Sequence, residues 1–146
     1  MKATELMTGD LVRVSKDVCY KKGTIVKIHG IDADNVFTGK GLKGSATCMA
    51  VNDPDGVTGG VWLDYLEPIP LTAEILAQNG FSKSRLMGEQ RHFTYYLGPS
   101  LSMLAIYDAD FSVHIGDGAR YVKNVHQFQH ILKDCGIDKE IIIKED

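Results

Sequence analysis

Leu66-Glu67-Pro68-Ile69-Pro70-Leu71-Thr72 splits the chain into two stretches of different character. Prolines at alternate positions hold this segment extended and remove two backbone donors. It can neither continue a central strand nor begin a helix early. Upstream lie short β-prone runs separated by Gly-rich turns. Downstream a helix begins at once and a mixed pattern follows. The segment is therefore read as a seam between a module over residues 1–70 and a module over residues 71–146.

In the first module, Thr8-Gly9-Asp10 reads as a turn and Leu11-Val12-Arg13-Val14 as a strand. Residues 23–29 alternate imperfectly between apolar and polar, as in a strand buried mainly on one face. Turn residues fill positions 30–35, a short strand is expected at 36–38, and a flexible Gly-rich loop at 39–44. Thr47-Cys48-Met49-Ala50-Val51 reads as a strand. Asp53-Pro54-Asp55-Gly56 reads as a turn, with proline presetting its first corner and glycine taking a positive φ. Gly60-Val61-Trp62-Leu63 is the last strand, followed by a tight helical turn. Short strands, regular turns and no long helix predict a small closed β-barrel of SH3-like pattern.

In the second module Thr72 is placed to cap a helix over residues 73–79, with Leu71 and Leu76 at staple positions. Gly80 ends that helix. A polar loop is expected over 82–90. Strands follow over 91–97, 103–107 and 111–115, the last with Phe111, Val113 and Ile115 on one face. Asp117-Gly118 is a two-residue hairpin signal leading into a return strand over 120–123. Asn124 with Gln127 forms a capping-box pattern, and Val125, Phe128, Leu132 and Cys135 make one apolar helical stripe. Gly136 stops the helix, and residues 140–144 read as a final strand. The whole is α+β: an SH3-like β-barrel, then a layer built of helix, antiparallel meander, helix and short strand.

Composition narrows the function. The chain has 146 residues, 44% apolar and 24% charged, which is ordinary for a globular protein. A net charge of -3 argues against a dedicated duplex-DNA binder. Three cysteines with no Cys-x-x-Cys spacing read as reduced thiols in a cytoplasm. The N-terminus carries no apolar run, and no long apolar stretch follows, so neither a signal peptide nor a membrane span is expected.

Three separated pieces carry a family resemblance. They are Glu5-Leu6-Met7-Thr8-Gly9-Asp10-Leu11-Val12, the seam with its Asn79-Gly80-Phe81 helix end, and Val125-His126-Gln127-Phe128-Gln129. Together they resemble a group of short uncharacterised proteins of gut-dwelling bacteria, often found in prophage-like or mobile neighbourhoods. In that group the last motif reads more like YVHQLQNLYFAL. Here Asn124 stands in place of the Tyr, and His130-Ile131-Leu132 in place of the aromatic-rich continuation. The resemblance implies no activity and no cofactor. It implies an accessory intracellular protein.

Candidate sites are few. Trp62, Tyr65, Tyr20 and Phe37 form a possible aromatic recognition groove. The simpler expectation is that Trp62 and Phe37 fill the barrel. Arg13, Lys21, Lys22 and Lys27 are the nucleic-acid candidates, against the alternative of lysine-protected strand edges. His126 and His130, four apart, share a helical face that the spacing places opposite the apolar stripe and hence exposed. Such a pair is the start of a metal site, and of a metal-dependent hydrolase, only if a third ligand joins it. Cys48 and Cys135 read as small core residues and Cys19 as a more exposed thiol. Gly39-Lys40-Gly41 with Gly44 lacks the spacing of a phosphate loop. The Asp32–Asn35 and Asp53–Gly56 stretches lack the distant Glu of a calcium loop. Asp108 and Asp110 sit at an expected hairpin tip. The sequence thus points to a non-catalytic cytoplasmic interaction protein with an unknown protein partner, as a monomer or weak homodimer.

Overall fold

The computed structural model describes residues 1–53, 55–85, 93–97, 104–107, 112–115 and 118–144, with side chains left aside over 82–119. The chain divides into two compact units, Met1–Ile69 and Pro70–Asp146.

The first unit is an antiparallel sheet of β1 (Leu11–Val14), β2 (Ile25–Phe37), β3 (Leu42–Ala50), β4 (Gly59–Trp62) and β5 (Leu66–Pro68). Their order is β4-β3-β2-β1-β5, so the first and last strands lie side by side. The sheet is open, with β4 and β5 at its two edges, where a closed barrel was expected. The seam contributes the edge strand β5, and the pairing shows why Pro68 is tolerated there. Ser15 N donates to Tyr65 O at 2.9 Å, and the register then runs Val14↔Leu66, Arg13↔Glu67, Val12↔Pro68. Hydrogen-bonded and non-bonded pairs alternate along such a ladder. Counting from Ser15, Arg13 and Glu67 form the next bonded pair, and Pro68 falls where no donor is needed.

β2 is the largest departure from expectation. Residues 30–35 look like a turn, yet they continue the strand, with register shifts between Ile28 and Gly30 and between Asp32 and Val36. These bulges absorb the turn-forming residues while Gly30, Ile31 and Asp32 still pair with Thr47, Ala46 and Ser45. The expected short strand at 36–38 is the end of β2, and a 3₁₀ turn over Thr38–Lys40 replaces the expected loop. β3 accordingly begins at Leu42 and alternates strictly, Leu42, Ala46, Cys48 and Ala50 being buried. The core joins Ala46 and Cys48 to Val12, Val14, Val26, Ile28, Val61 and Leu66. A further 3₁₀ turn, Leu63–Tyr65, leads into β5.

Pro54 of the expected 53–56 turn lies outside the described residues. Gly56 N donates to Asp53 O at 3.0 Å, as a turn there requires. Gly56 does not take a positive φ. Close approach favours its glycine, since a Cβ would lie 2.9 Å from the Asp53 backbone oxygen.

In the second unit Thr72 caps α1 (Ala73–Gln78), its Oγ1 accepting from Ile75 N at 3.2 Å. Such a cap is worth about 1 kcal/mol. Gly80, with φ +82°, ends the turn. The chain then enters β6 (Phe81–Arg85) directly, where a polar loop was expected. β7 (Phe93–Leu97), β8 (Leu104–Tyr107), β9 (Ser112–Ile115) and β10 (Gly118–Tyr121) follow as a sequential antiparallel meander. Gly118, expected as a turn residue with Asp117, instead opens β10 and pairs with Ile115, which moves the connection to residues 116–117, outside the described residues. Phe111, Asp108 and Asp110 also lie outside them.

α2 (Val125–Asp134) opens with the expected capping box. Gln127 Oε1 accepts from Asn124 N at 3.3 Å and from Lys123 N at 3.0 Å. Phe128 is fully buried and meets Phe81 edge-on, with ring centroids 5.5 Å apart. The expected final strand does not form over 140–144. Instead, the buried Asn79 side chain holds Ile142 by both backbone groups. Its Nδ2 donates to Ile142 O at 2.8 Å, and its Oδ1 accepts from Ile142 N at 2.7 Å.

Among the described residues no helix is long and apolar enough to cross a membrane.

Candidate interaction surface

The aromatic quartet of the first unit separates into different roles. Trp62 ends β4 opposite Ser45 of β3, on the strand face that alternation turns away from Ala46 and Cys48. Phe37 ends β2 and is 48% exposed. The two rings meet with centroids 6.2 Å apart and planes tilted by 48°. Such a pair contributes about 0.5–1.5 kcal/mol beyond its area burial. The expectation that Phe37 and Trp62 fill a barrel interior is therefore corrected. The interior is filled by aliphatic side chains, and the pair stands on the surface of the unit.

Neighbouring contacts hold this patch in place. Gly39 lies against the Phe37 ring, where a Cβ would come within 3.6 Å of it. Asn35 Nδ2 donates to Ser45 Oγ at 3.0 Å beneath the sheet end. Val36 is also exposed, as are Lys40 in the β2–β3 connection and Lys43, which pairs with Val36 near the start of β3. The patch is thus apolar at its centre and cationic at its margin.

Tyr20 and Tyr65 are engaged within the unit. The Tyr20 hydroxyl lies 2.8 Å from Cys48 O and 3.2 Å from Val57 O. Burial first, with the charge of Cys19 adding, raises its pKa above the ordinary 10.0. Tyr65 packs on the core from the 3₁₀ turn, with Lys16 Nζ 5.0 Å above its ring. That cation–π contact was not anticipated from the sequence, where Lys16 and Tyr65 are far apart.

The basic candidates fall in two places. Arg13 and Lys27 are half-buried on adjacent strands, Arg13 directly opposite Glu67 and Lys27 opposite Leu11. Lys21 and Lys22 are exposed in the 15–24 loop, where Lys22 N donates to Asp17 Oδ1 at 2.7 Å. Acidic residues accompany both places.

His126 is only 4% exposed, so the expectation of an exposed His126/His130 pair is corrected. The reason is the width of the buried arc on α2. Val125, His126, Phe128, Ile131 and Leu132 are all buried, which covers more than the single apolar stripe. The two imidazoles do approach, with centroids 5.9 Å apart. Among the described residues no group of three or more His, Cys, Asp or Glu side chains gathers to hold a metal. Cys135 is half-buried at the helix end, outside the core assigned to it.

Gly44, read as part of a flexible loop, has a structural role. It takes φ +82° within β3, and a Cβ there would lie 2.7 Å from Leu63 Cδ1. Comparison of the chain with protein-family models, with curated proteins and with solved structures gives no match.

Proposed function

We propose that this chain is a non-catalytic accessory protein that works inside the cell by binding a protein partner through its first unit. The observation that carries this reading is the Phe37–Trp62 pair at the sheet end, an exposed Phe37 ring packed on a half-buried Trp62. Aromatic side chains supply large contact area at low conformational cost, which is why they anchor recognition surfaces.

We read the first unit as SH3-like. Support comes from the order β4-β3-β2-β1-β5, from the long bulged β2 that runs along both neighbours, and from the 3₁₀ turn between β4 and β5. Folds of this kind host many functions, so the fold alone names no partner. An origin in a prophage or mobile element rests on the three motif pieces quoted above.

The test compares wild-type protein with Trp62→Ala and Phe37→Ala, each untagged and coupled to a support, in lysate of the cells that carry the gene. A partner retained by wild type and lost at least tenfold by both variants is the expected result. Turnover that disappears on changing His126, His130 or Cys135 to Ala would overturn the non-catalytic reading. Equal retention of a partner by wild type and both variants would move the surface elsewhere.

A further inference from the structure

We propose that Cys19 and Cys48 are a redox-responsive thiol pair that closes to an intramolecular disulfide, tying the 15–24 loop onto β3. The inference starts from Gly59. The β3–β4 register places Gly59 directly opposite Cys48. Directly opposed residues send their side chains to the same face, with Cβ atoms about 4.5–5.5 Å apart. At Gly59 that side chain is missing, and its place is taken. A Cβ built there would lie 2.8 Å from Cys19 Sγ and 3.2 Å from the Tyr20 ring. Cys19 Sγ therefore occupies the position next to Cys48 that any larger residue at 59 would fill.

Two further contacts fix the loop in this pose. Cys19 Sγ lies 3.7 Å from Gly60 O, and the Tyr20 hydroxyl reaches Cys48 O at 2.8 Å. Both neighbouring loop residues are thereby anchored on β3 and β4.

The thiols are unequal in a way that orders the chemistry. Cys19 is exposed, while Cys48 has no accessible surface. Burial first, and then the charge of Cys19, pushes the Cys48 thiol up to about 12. An oxidant therefore enters at Cys19. With a low-molecular-weight disulfide of the glutathione class, the Cys19 thiolate attacks one sulfur and displaces one small thiolate, which takes up the proton Cys19 gave. Cys48 Sγ, which lies 3.7 Å from Ala46 O, then rotates off that carbonyl, yields its proton to solvent and attacks Cys19 Sγ. The second small thiolate leaves and is protonated. Two protein thiols are oxidised by two electrons, and one small disulfide is reduced to two thiols. The closed ring stabilises the first unit by restricting its unfolded chain. It also fixes the loop that carries Lys16, Lys21 and Lys22.

The experiment equilibrates the full chain with mixtures of oxidised and reduced glutathione, alkylates the remaining thiols, and reads intact mass and peptide linkage. Wild type is expected to lose two hydrogens, to yield a Cys19–Cys48 linked peptide with Cys135 alkylated, and to melt several degrees higher until a reductant is added. Cys48→Ala should stop at a glutathione adduct on Cys19. Gly59→Ala keeps both thiols but expels Cys19 from its place, so the linked fraction should fall at least tenfold in the same mixture. A wild-type chain that accumulates the Cys19 adduct with Cys48 still alkylated after unfolding overturns the proposal. Linkage to Cys135 or between chains overturns it equally. Should Gly59→Ala fail to fold, wild type and Cys48→Ala decide between these outcomes on their own.

Discussion

Each of the two sheets has five strands among the described residues, and each unit is tied across long sequence separations in its own way. In the second unit β6 to β10 follow one another, so each strand pairs with its sequence neighbour. In the first unit β5 passes the others and returns to β1. A sequential meander is assembled from local hairpins. A returning strand must pay the loop-closure entropy of the intervening chain before its pairing contributes. The long-range links of the second unit lie outside its sheet: Leu71 N donates to Lys123 O at 2.9 Å beside the Pro70↔Asn124 bridge, and one side chain makes another. Asn79 reaches across to both backbone groups of Ile142. One unit is thus tied by a ladder within its sheet, and the other by a short bridge and an amide clamp outside it.

The sharpest way to break this contrast is at Glu67, whose N–H is assigned to the bonded pair with Arg13. Glu67→Pro removes that donor and strands the Arg13 carbonyl, while the neighbouring Pro68 shows that proline itself suits the strand. The expected cost is about 3 kcal/mol, read in denaturant titrations and as lost amide protection along β1. Protection along β1 equal to wild type would show that β5 does not hold that edge of the sheet.

Asn79→Ala tests the clamp. It strands both backbone groups of Ile142 and one contact to Ile75 O. Water can reach the half of this site that is exposed, so the expected cost is smaller, about 1–2 kcal/mol. Protease sensitivity should appear first over residues 137–144, with β6 to β10 still paired. If the tail keeps its protection, Ile141 packing alone holds it.

A third measurement distinguishes the units by chemistry. Cys48 lies in the core of the first unit, and its thiol is pushed from 9.0 up to about 12 by burial. The folded state then holds this proton to higher pH than the unfolded chain. The stability it contributes is complete below pH 9 and is lost as pH rises towards 12, by at most about 1.4 kcal/mol per pH unit. Tyr20, also raised, acts in the same direction. Melting curves between pH 8 and 11 should therefore fall more steeply for wild type than for Cys48→Ala. Parallel curves would place the titrating groups elsewhere.

Local chemistry was legible in the sequence wherever a short stretch settles its own backbone. Thr72, Gly80, Asn124 with Gln127 and Gly136 mark helix ends because caps act within one turn of chain. The seam was legible because proline restricts its own φ and its predecessor regardless of surroundings. Polar 30–35 misled because a β-bulge lets turn residues stay in a strand when a partner strand supplies the hydrogen bonds.

What the sequence determined by itself, then, is the α+β class, the two helices with their caps and the core of several strands, since each depends on neighbours a few positions away; β5, β6, the full length of β2 and the absence of a strand over 140–144 lay beyond it. Tertiary structure alone decided which faces are covered: that His126 is buried, that Phe37 is exposed against a half-buried Trp62, and that Cys19 fills the space left by Gly59. Burial and long-range adjacency belong to pairs of segments, and no single stretch of chain carries its partner's register.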